Sequence, residues 1–395
     1  MANLTARFEA LVTDAYAADE PGTAVLIAKN GEIIYTTGHG MANLEWQIPI
    51  EPDMVFRYAS ITKQFTAVAI LILLEQGKLQ LDEVVTTYLP DYPLADQPFT
   101  IRHLLTHTSG ITSYTDMPGW ISLWRKDFSV EELIDFFKDE PRQFAPGEKF
   151  AYNNSGYILL GAVIEKLSDL PYADFIKTHI FEPAGMKTAV YDTPQPIIPR
   201  RVAGYSQSPT GYVNADYMSM TQPYAAGSLA GTVYDLLAWD NALNNKTLLK
   251  EETLALAYEP ATLNDGTLSQ YGFGWRFNEY EGHRLISHSG GIHGFTTYAI
   301  KELTTRSLVV VLTNTDSKKP ELLAYKLMAE ALGKPLRPPM GIPLTKEVLE
   351  RCPGQFRINE AMSRKIFIQE GTLFSQLGEQ PPVELVPITE ERFVM

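Results

Sequence analysis

The chain has 395 residues, 45% of them hydrophobic, with 33 basic against 47 acidic side chains and a formal net charge of −14. A chain of this length is longer than a domain with a single hydrophobic core usually is, and it predicts two or three structural units. The acidic balance, without a lysine- or arginine-rich block, excludes nucleic acid and anionic membrane surfaces as expected partners. The lone Cys352 excludes an intrachain disulfide and a thiolate metal cluster.

The first quarter of the chain predicts a helix, a hairpin and a second helix. The first helix covers about residues 3–18 and is amphipathic, unlike a secretory signal. Two strands within 24–35 flank an Asn30-Gly31 pair, the strongest short-range hairpin signal. The second helix begins near Ser60, and its apolar run is too short to span a bilayer. We expect no membrane insertion. The sequence does not fix the cellular compartment. The chain is expected in the cytoplasm if it carries no signal peptide, and in the periplasm or outside the cell if a signal peptide was removed.

The middle of the chain predicts helices and long loops, and strands return after it. Helical periodicity appears at 101–107, 130–137, 157–167 and 234–243, and strand patterns at 271–277, 284–288, 295–300 and 308–313, before a helix at about 321–332. This order predicts an α/β plus all-α fold. One sheet domain is expected from residues 1–95 and 270–333, with an all-helical domain of residues 96–269 inserted between, and a pocket at the seam. A proline-rich linker at 334–343 separates these from a β segment at 344–395, where 364–377 predicts a hairpin.

Ser60-Ile61-Thr62-Lys63 stands where an extended segment meets the second helix. A serine three residues before a lysine on a helix places both side chains on one face. A neutral lysine amine in that position can take the serine proton. The helix N-terminus adds backbone N–H groups where an oxyanion would form. This is the S-x-x-K pattern of penicillin-interactive serine enzymes.

Two further motifs carry candidate chemistry. Tyr152 and Asn154 precede a predicted helix and can project into one cleft, where a nearby ammonium group would lower the pKa of the phenol and fit it to act as base or acid. Asn154 is suited to bond a substrate amide. His288-Ser289-Gly290-Gly291 follows a strand, and its small residues allow a substrate backbone to approach and pair, with the N–H of Gly291 as an oxyanion donor.

Together the three motifs, in this order and spacing, resemble the family of class C β-lactamases and D-alanyl-D-alanine carboxypeptidases. Residues 101–111, 144–148, 181–186 and 271–275 resemble the same family, so the likeness covers about residues 5–333. The resemblance implies a β-lactamase/transpeptidase-like antiparallel sheet flanked by helices, with an inserted helical domain. Residues 344–395 resemble the first half of a lipocalin-like β-domain. Its open strand edges must be covered by the main domain or by a second chain, as in a homo-oligomer formed through this segment, or be left disordered.

The resemblance also implies a role for each motif residue. Ser60 is the nucleophile, Lys63 its proton acceptor or electrostatic partner, and Tyr152 the general base and acid. Asn154 contacts a substrate amide, and the N–H groups of Ser60 and Gly291 form the oxyanion hole. His288 stands where the lactamases carry a lysine, and a neutral imidazole binds a substrate carboxylate less strongly. Ser289 keeps a hydroxyl for that carboxylate, but the sequence places no arginine beside it.

The expected function is therefore a serine hydrolase that acts through an acyl-enzyme, without metal or cofactor, on small-molecule or short peptide substrates. Peptidase-like or weak β-lactamase activity on D-amino-acid or β-lactam substrates is favoured. A carboxylesterase for short acyl esters is one alternative, and a penicillin-binding sensor without turnover is another. His103 and His107 have the i, i+4 spacing of a zinc pair but lack the accompanying glutamate, which favours a packing or hydrogen-bonding role.

Overall fold

The computed structural model describes residues 2–93, 97–336, 344–358, 363–369, 371–378, 380–387, 389 and 393–394. The chain divides into two compact units, Met1–Lys334 and Pro335–Met395. Residues 337–343 of the predicted linker lie outside the described residues. The further division of the first unit into a sheet domain and an inserted helical domain stays a prediction.

The first unit combines helices with short and long strands. Its α-helices are α1 (Ala2–Ala15), α2 (Thr62–Glu75), α3 (Ile101–Leu105), α4 (Val130–Asp135), α5 (Asn154–Ser168), α6 (Tyr172–Ile176), α7 (Glu182–Ala184), α8 (Tyr224–Gly227), α9 (Val233–Asn244), α10 (Glu251–Ala257) and α11 (Pro320–Ala331). Its strands are β1 (Thr23–Lys29), β2 (Glu32–His39), β3 (Met41–Asn43), β4 (Ile48–Pro49), β5 (Phe56–Arg57), β6 (Val190–Tyr191), β7 (Tyr205–Ser208), β8 (Gly211–Asn214), β9 (Leu229–Gly231), β10 (Arg276–Tyr280), β11 (His283–Ile292), β12 (Phe295–Glu302) and β13 (Ser307–Thr313).

One six-stranded sheet joins the two ends of this unit. Its order is β10-β11-β12-β13-β1-β2, and every neighbouring pair is antiparallel. The predicted hairpin is confirmed: Asn30 and Gly31 connect β1 to β2, both with positive φ, at 53° and 81°. A two-residue turn with φ positive at both positions matches the twist of the flanking strands. The sheet is thus assembled from early and late strands, as the order of predicted elements indicated.

The central strands are buried on both faces of the sheet. Along β1, Ala24, Leu26 and Ala28 belong to the main core, whereas Val25 and Ile27 belong to a second core that includes α1 and α11. Successive side chains of a strand point to opposite faces, so a strand covered on both sides is apolar throughout. The main core also contains α2 and α5, and it places the start of α2 against the sheet.

One predicted strand is displaced along the chain. The pattern at 271–277 predicts a strand there, but β10 begins at Arg276 and the residues before it form a loop. The reason lies at Gly274, which has φ +86°, and where a Cβ atom would stand 2.9 Å from the Cα atom of Gln64 and 3.0 Å from the carbonyl oxygen of Lys63. The loop therefore passes over the backbone of α2, a close approach that only glycine allows.

The second unit is a small β structure with one helix. Its elements are α12 (Lys346–Arg351), β14 (Gly354–Arg357), β15 (Ser363–Gln369), β16 (Thr372–Leu377), β17 (Val383–Glu384), β18 (Val386–Pro387) and β19 (Phe393–Val394). The first four strands form an antiparallel sheet in chain order. The predicted hairpin is confirmed as β15 and β16, where the rings of Phe367 and Phe374 stack at 5.9 Å between centroids. The lipocalin-like resemblance stays a prediction.

Within the described parts of the chain, no helix is long and apolar enough to cross a membrane.

Candidate active site

The candidate nucleophile, Ser60, lies in a single 3₁₀ turn, Ala59–Ile61, that leads into α2. Ala59 has φ +50°, a conformation that costs a residue with a side chain about 1–2 kcal/mol. Tyr58 holds this turn. Its N–H donates to the carbonyl of Leu229 at 2.8 Å, and its own carbonyl accepts from the Thr297 hydroxyl at 2.9 Å. The strained turn thus fixes the position of Ser60, whose side chain stays half-buried.

Lys63 is fully buried directly beside Ser60. Its Nζ atom lies 3.1 Å from the Ser60 Oγ, 2.9 Å from the Asn154 Oδ1 and 2.8 Å from the carbonyl oxygen of Ala226. The last two atoms can only accept hydrogen bonds. In a neutral amine they therefore occupy both N–H groups, and the remaining lone pair points at the Ser60 hydroxyl, which then donates.

The protonation of Lys63 follows from its surroundings. Burial lowers the pKa of Lys63 well below its ordinary value of 10.5, because the charged ammonium loses its hydration. No carboxylate forms an ion pair with it among the described residues. The neutral amine is thus favoured by burial, and its geometry suits a base for Ser60.

Tyr152 packs against this pair, but its predicted acidity is wrong. Its ring centroid is 4.8 Å from the Lys63 Nζ, and its buried hydroxyl has no hydrogen-bond partner among the described residues. Burial raises the pKa of Tyr152 above its ordinary value of 10.0, and the nearby Ser60 hydroxyl and Arg276 cation oppose that rise less strongly. The pKa of the phenol is therefore raised, not lowered, and Tyr152 stays protonated as a donor.

Asn154 begins α5 and connects Lys63 to a neighbouring loop. Asn153 caps the helix by accepting from the Gly156 N–H at 2.8 Å, which turns the next side chain toward α2. Besides accepting from Lys63, Asn154 donates through its Nδ2 to the Thr115 Oγ1 at 3.1 Å. The carboxamide therefore orients Lys63, and its predicted contact with a substrate amide stays a prediction.

His288 is 1% exposed on β11, and both of its ring nitrogens are occupied. The Nδ1 lies 2.6 Å from the Ser289 carbonyl oxygen, so it carries the proton, and the Nε2 accepts from the Tyr271 hydroxyl at 2.8 Å. Burial is the main cause that lowers the pKa of His288, to about 3. The imidazole is neutral, as expected, and its donor is already used within the protein. The predicted role in substrate binding stays a prediction.

Among the described residues, no strand pairs with one backbone edge of the segment after His288. β10 pairs with β11 only up to Ser287, whereas β12 pairs with it as far as Ile292. Ser289 and Gly291 are exposed, and a Cβ at Gly291 would meet nothing within 4 Å. Gly290 instead packs against the nucleophile turn, because a Cβ there would stand 2.4 Å from the Tyr58 carbonyl oxygen. An extended ligand therefore has room to pair with this edge beside Ser60.

Three site residues were missed by sequence reasoning. The guanidinium of Arg276 lies 5.7 Å from the ring centroids of both Tyr152 and Tyr271, and it forms no ion pair or side-chain hydrogen bond with the described residues. Tyr271 supports His288, and the buried His107 packs 4.4 Å from the Tyr152 ring. Arg276 directly follows the Tyr-Gly-Phe-Gly-Trp segment, and this position is the sequence feature that could have indicated a role for Arg276 at the site.

No group of three or more histidine, cysteine, aspartate or glutamate side chains suited to a metal occurs in the described ranges. The histidines of the i, i+4 pair have separate partners. His103 completes the cap of α3 with Thr100, and the His107 Nδ1 accepts from the Asn153 N–H at 3.1 Å.

Comparisons with known proteins agree with this architecture. A family model described as Beta-lactamase matches residues 7–333. A penicillin-binding protein of Bacillus subtilis (strain 168) is 32% identical over 401 residues, covering 94% of this chain and 87% of its own. The octameric penicillin-binding protein homologue from Pyrococcus abyssi superposes with a TM-score of 0.74 at 27% identity, over 96% of this chain and 89% of that one. The D-amino acid amidase from Ochrobactrum anthropi SV3, complexed with L-phenylalanine amide, superposes with a TM-score of 0.72 at 27% identity, over 84% of this chain and 98% of that one.

The antiparallel sheet, the flanking helices and a serine beside a buried lysine define the class of this protein as a serine hydrolase. Within that class the chain belongs to the beta-lactamase family, which also contains the penicillin-binding proteins.

Proposed function

We propose that this protein hydrolyses amide bonds of small D-amino-acid derivatives or short peptides through an acyl-enzyme on Ser60. The arrangement of Lys63 carries the proposal, because in the neutral amine two obligate acceptors take both N–H groups and leave the lone pair for the Ser60 hydroxyl. The similar amidase from Ochrobactrum anthropi SV3 supports the choice of amide substrates. No metal or cofactor enters the proposal.

The proposed reaction has two halves. The Ser60 Oγ attacks the substrate carbonyl carbon while its proton passes to Lys63, and the N–H groups of Ser60 and Gly291 bind the resulting oxyanion. The C–N bond then breaks, with Tyr152 donating a proton to the leaving nitrogen and recovering one from Lys63. In the second half water attacks the ester carbonyl carbon and gives a proton to the same pair. The bond to the Ser60 Oγ then breaks, the pair returns a proton to that oxygen, and the acid is released.

The direct test compares three substrates: D-alanyl-p-nitroanilide, D-alanyl-D-alanine and p-nitrophenyl butyrate. The proposal expects turnover of at least one D-amino-acid amide with kcat/KM above that for the butyrate ester. Ester turnover far above amide turnover would contradict the amide proposal and favour the carboxylesterase. A stable acyl-enzyme without release would favour the sensor.

The pH dependence follows from Lys63. Because its neutral form is the base and burial lowers its pKa, kcat/KM should rise with pH along one limb whose apparent pKa lies clearly below 10.5. The pKa of His288, about 3, predicts that His288 adds no inflection near pH 6.5. Steady-state rates from pH 4 to 11 check both statements. If kcat/KM instead falls with rising pH as Lys63 deprotonates, the ammonium form is required.

Arg276 is proposed to bind the carboxylate of substrates that carry one. A charge-assisted hydrogen bond contributes about 1.5–3 kcal/mol, so Arg276→Gln should raise KM for D-alanyl-D-alanine by about 10- to 100-fold. The same change should leave D-alanyl-p-nitroanilide, which has no carboxylate, within about threefold. Arg142→Gln is the matched control, because the Arg142 guanidinium also lies over an aromatic ring, that of Phe99 at 5.1 Å, but does not contact Tyr152. Equal losses on both substrates would show that Arg276 acts on the site in general and not on the carboxylate.

A homo-oligomer formed through the C-terminal strands stays a proposal. It is supported by the octameric state of the similar protein from Pyrococcus abyssi.

A further inference from the structure

A group of aromatic side chains lies next to the candidate site and takes no part in the reaction above. It comes from the loop of residues 113–126, called the aromatic loop below. The Trp120 and Trp124 rings meet edge to face at 5.8 Å, and Trp124 meets His293 in the same way at 4.2 Å. All three side chains are half-buried. His293 is two residues beyond Gly291, so these rings stand at the end of the β11 edge beyond Ser287.

The opposite end of the aromatic loop is fastened to the catalytic groups. Thr115 accepts a hydrogen bond from Asn154, which also bonds Lys63, and the Ser113 hydroxyl accepts from the Asn154 backbone N–H at 3.1 Å. The loop thus runs from the Lys63 side of Ser60 to the Gly291 side. At the second position its Trp124 ring packs on His293, which follows the Gly291 edge.

Gln222 fixes the aromatic loop in place. It is fully buried, and its Oε1 accepts from the Trp120 Nε1 at 3.0 Å while its Nε2 donates to the Leu123 and Lys126 carbonyls at 2.6 and 2.8 Å. Its backbone carbonyl accepts from the Tyr114 hydroxyl at 2.8 Å. A satisfied buried polar network is rigid, so the Trp120 ring and the loop backbone around Trp124 keep one arrangement.

We propose that Trp120, Trp124 and His293 form a subsite that selects substrates whose acyl side has an aromatic side chain. The inference rests on the proposed acyl-enzyme on Ser60 and adds the class of side chain. Offset or edge-to-face ring pairs add about 0.5–1.5 kcal/mol to the gain from burying the ring itself. Open space beside Gly291 gives the side chain access. Tyr217, 41% exposed, adds another ring on the neighbouring segment, two residues before Ser219, whose N–H donates to the Trp124 carbonyl.

The test uses two boronic acids that differ by one phenyl ring, the N-acetylated boronic analogues of D-phenylalanine and D-alanine. Boron accepts the Ser60 Oγ while the serine proton passes to Lys63, so binding requires the nucleophile but no hydrolysis. Calorimetric titration should give a Kd for the phenylalanine analogue at least about tenfold lower than for the alanine analogue. Trp124→Ala should reduce this ratio to about threefold or less. Trp46→Ala, which removes an indole that is 80% exposed, should leave the ratio unchanged.

Each outcome has a distinct meaning. Equal binding of the two analogues by the wild-type protein, or a preference that survives in Trp124→Ala, would overturn the subsite. If Trp124→Ala binds neither analogue, the test passes to His293→Ala, which removes the ring that faces Trp124. In that variant the preference for the phenylalanine analogue over the alanine analogue must fall in the same way. A wild-type protein that binds neither analogue would overturn both the nucleophile and the subsite. A clear preference in a protein that hydrolyses no amide would contradict the proposed function and leave the subsite standing.

Discussion

Replacing Ser60 by alanine is expected to lower kcat/KM for amide hydrolysis by about 10⁴-fold or more. The Oγ is the only atom that forms the acyl bond in the proposed reaction, and removing a serine nucleophile elsewhere has shown losses of this order. The fold should be retained, because Ser60 is half-buried and Tyr58, Leu229 and Thr297 hold its turn through backbone groups and a neighbouring hydroxyl.

The measurement is the initial rate on the best D-amino-acid amide, together with circular dichroism of both proteins. Ser168→Ala is the matched control, because that serine only bonds the backbone near the end of α5. A folded Ser60→Ala protein that keeps more than a few per cent of the activity would remove Ser60 from the mechanism.

Changing Lys63 to methionine is expected to lower the acylation rate by about 10²–10⁴-fold, the usual contribution of a positioned general base. Methionine fills the apolar part of the buried space but has no lone pair suited to take the serine proton. The change also leaves the Asn154 and Ala226 oxygens without a donor, so unfolding should be measured in parallel. Lys78→Met, at an exposed position just beyond α2, is the control.

Lys63→Arg separates the two roles that the motif allows for the lysine. A guanidinium keeps a positive charge but does not deprotonate in proteins, so it cannot act as a base. We expect a loss as large as that of the methionine variant. A rate within about tenfold of the wild type would show that Lys63 acts as an electrostatic partner of Ser60 and not as its proton acceptor.

Much of the fold follows from local sequence because its signals are local. The Asn30-Gly31 turn, the apolar strands β1 and β13 and the helix after Ser60 each depend on neighbouring residues. The strand at 271–277 was displaced because Gly274 must pass over the backbone of α2, a contact between segments about 210 residues apart. No local pattern contains that information.

The motif residues could be found in the sequence, but their electrostatics could not. The spacing of Ser60 and Lys63 puts them on one helix face, yet the acceptors that orient Lys63 stand 91 and 163 residues further along the chain. The raised pKa of Tyr152 arises from burial by distant segments. Arg276 directly follows the Tyr-Gly-Phe-Gly-Trp segment, but only the pairing of β10 with β11 brings it beside the site.

Intact-protein mass spectrometry over time, after mixing with benzylpenicillin or a D-amino-acid ester, tests the central claim that Ser60 forms an acyl-enzyme. We expect an adduct of the acyl group's mass that maps to Ser60, decays as product is released, and is absent from Ser60→Ala. An adduct on another residue, or one that forms equally in Ser60→Ala, would contradict the account.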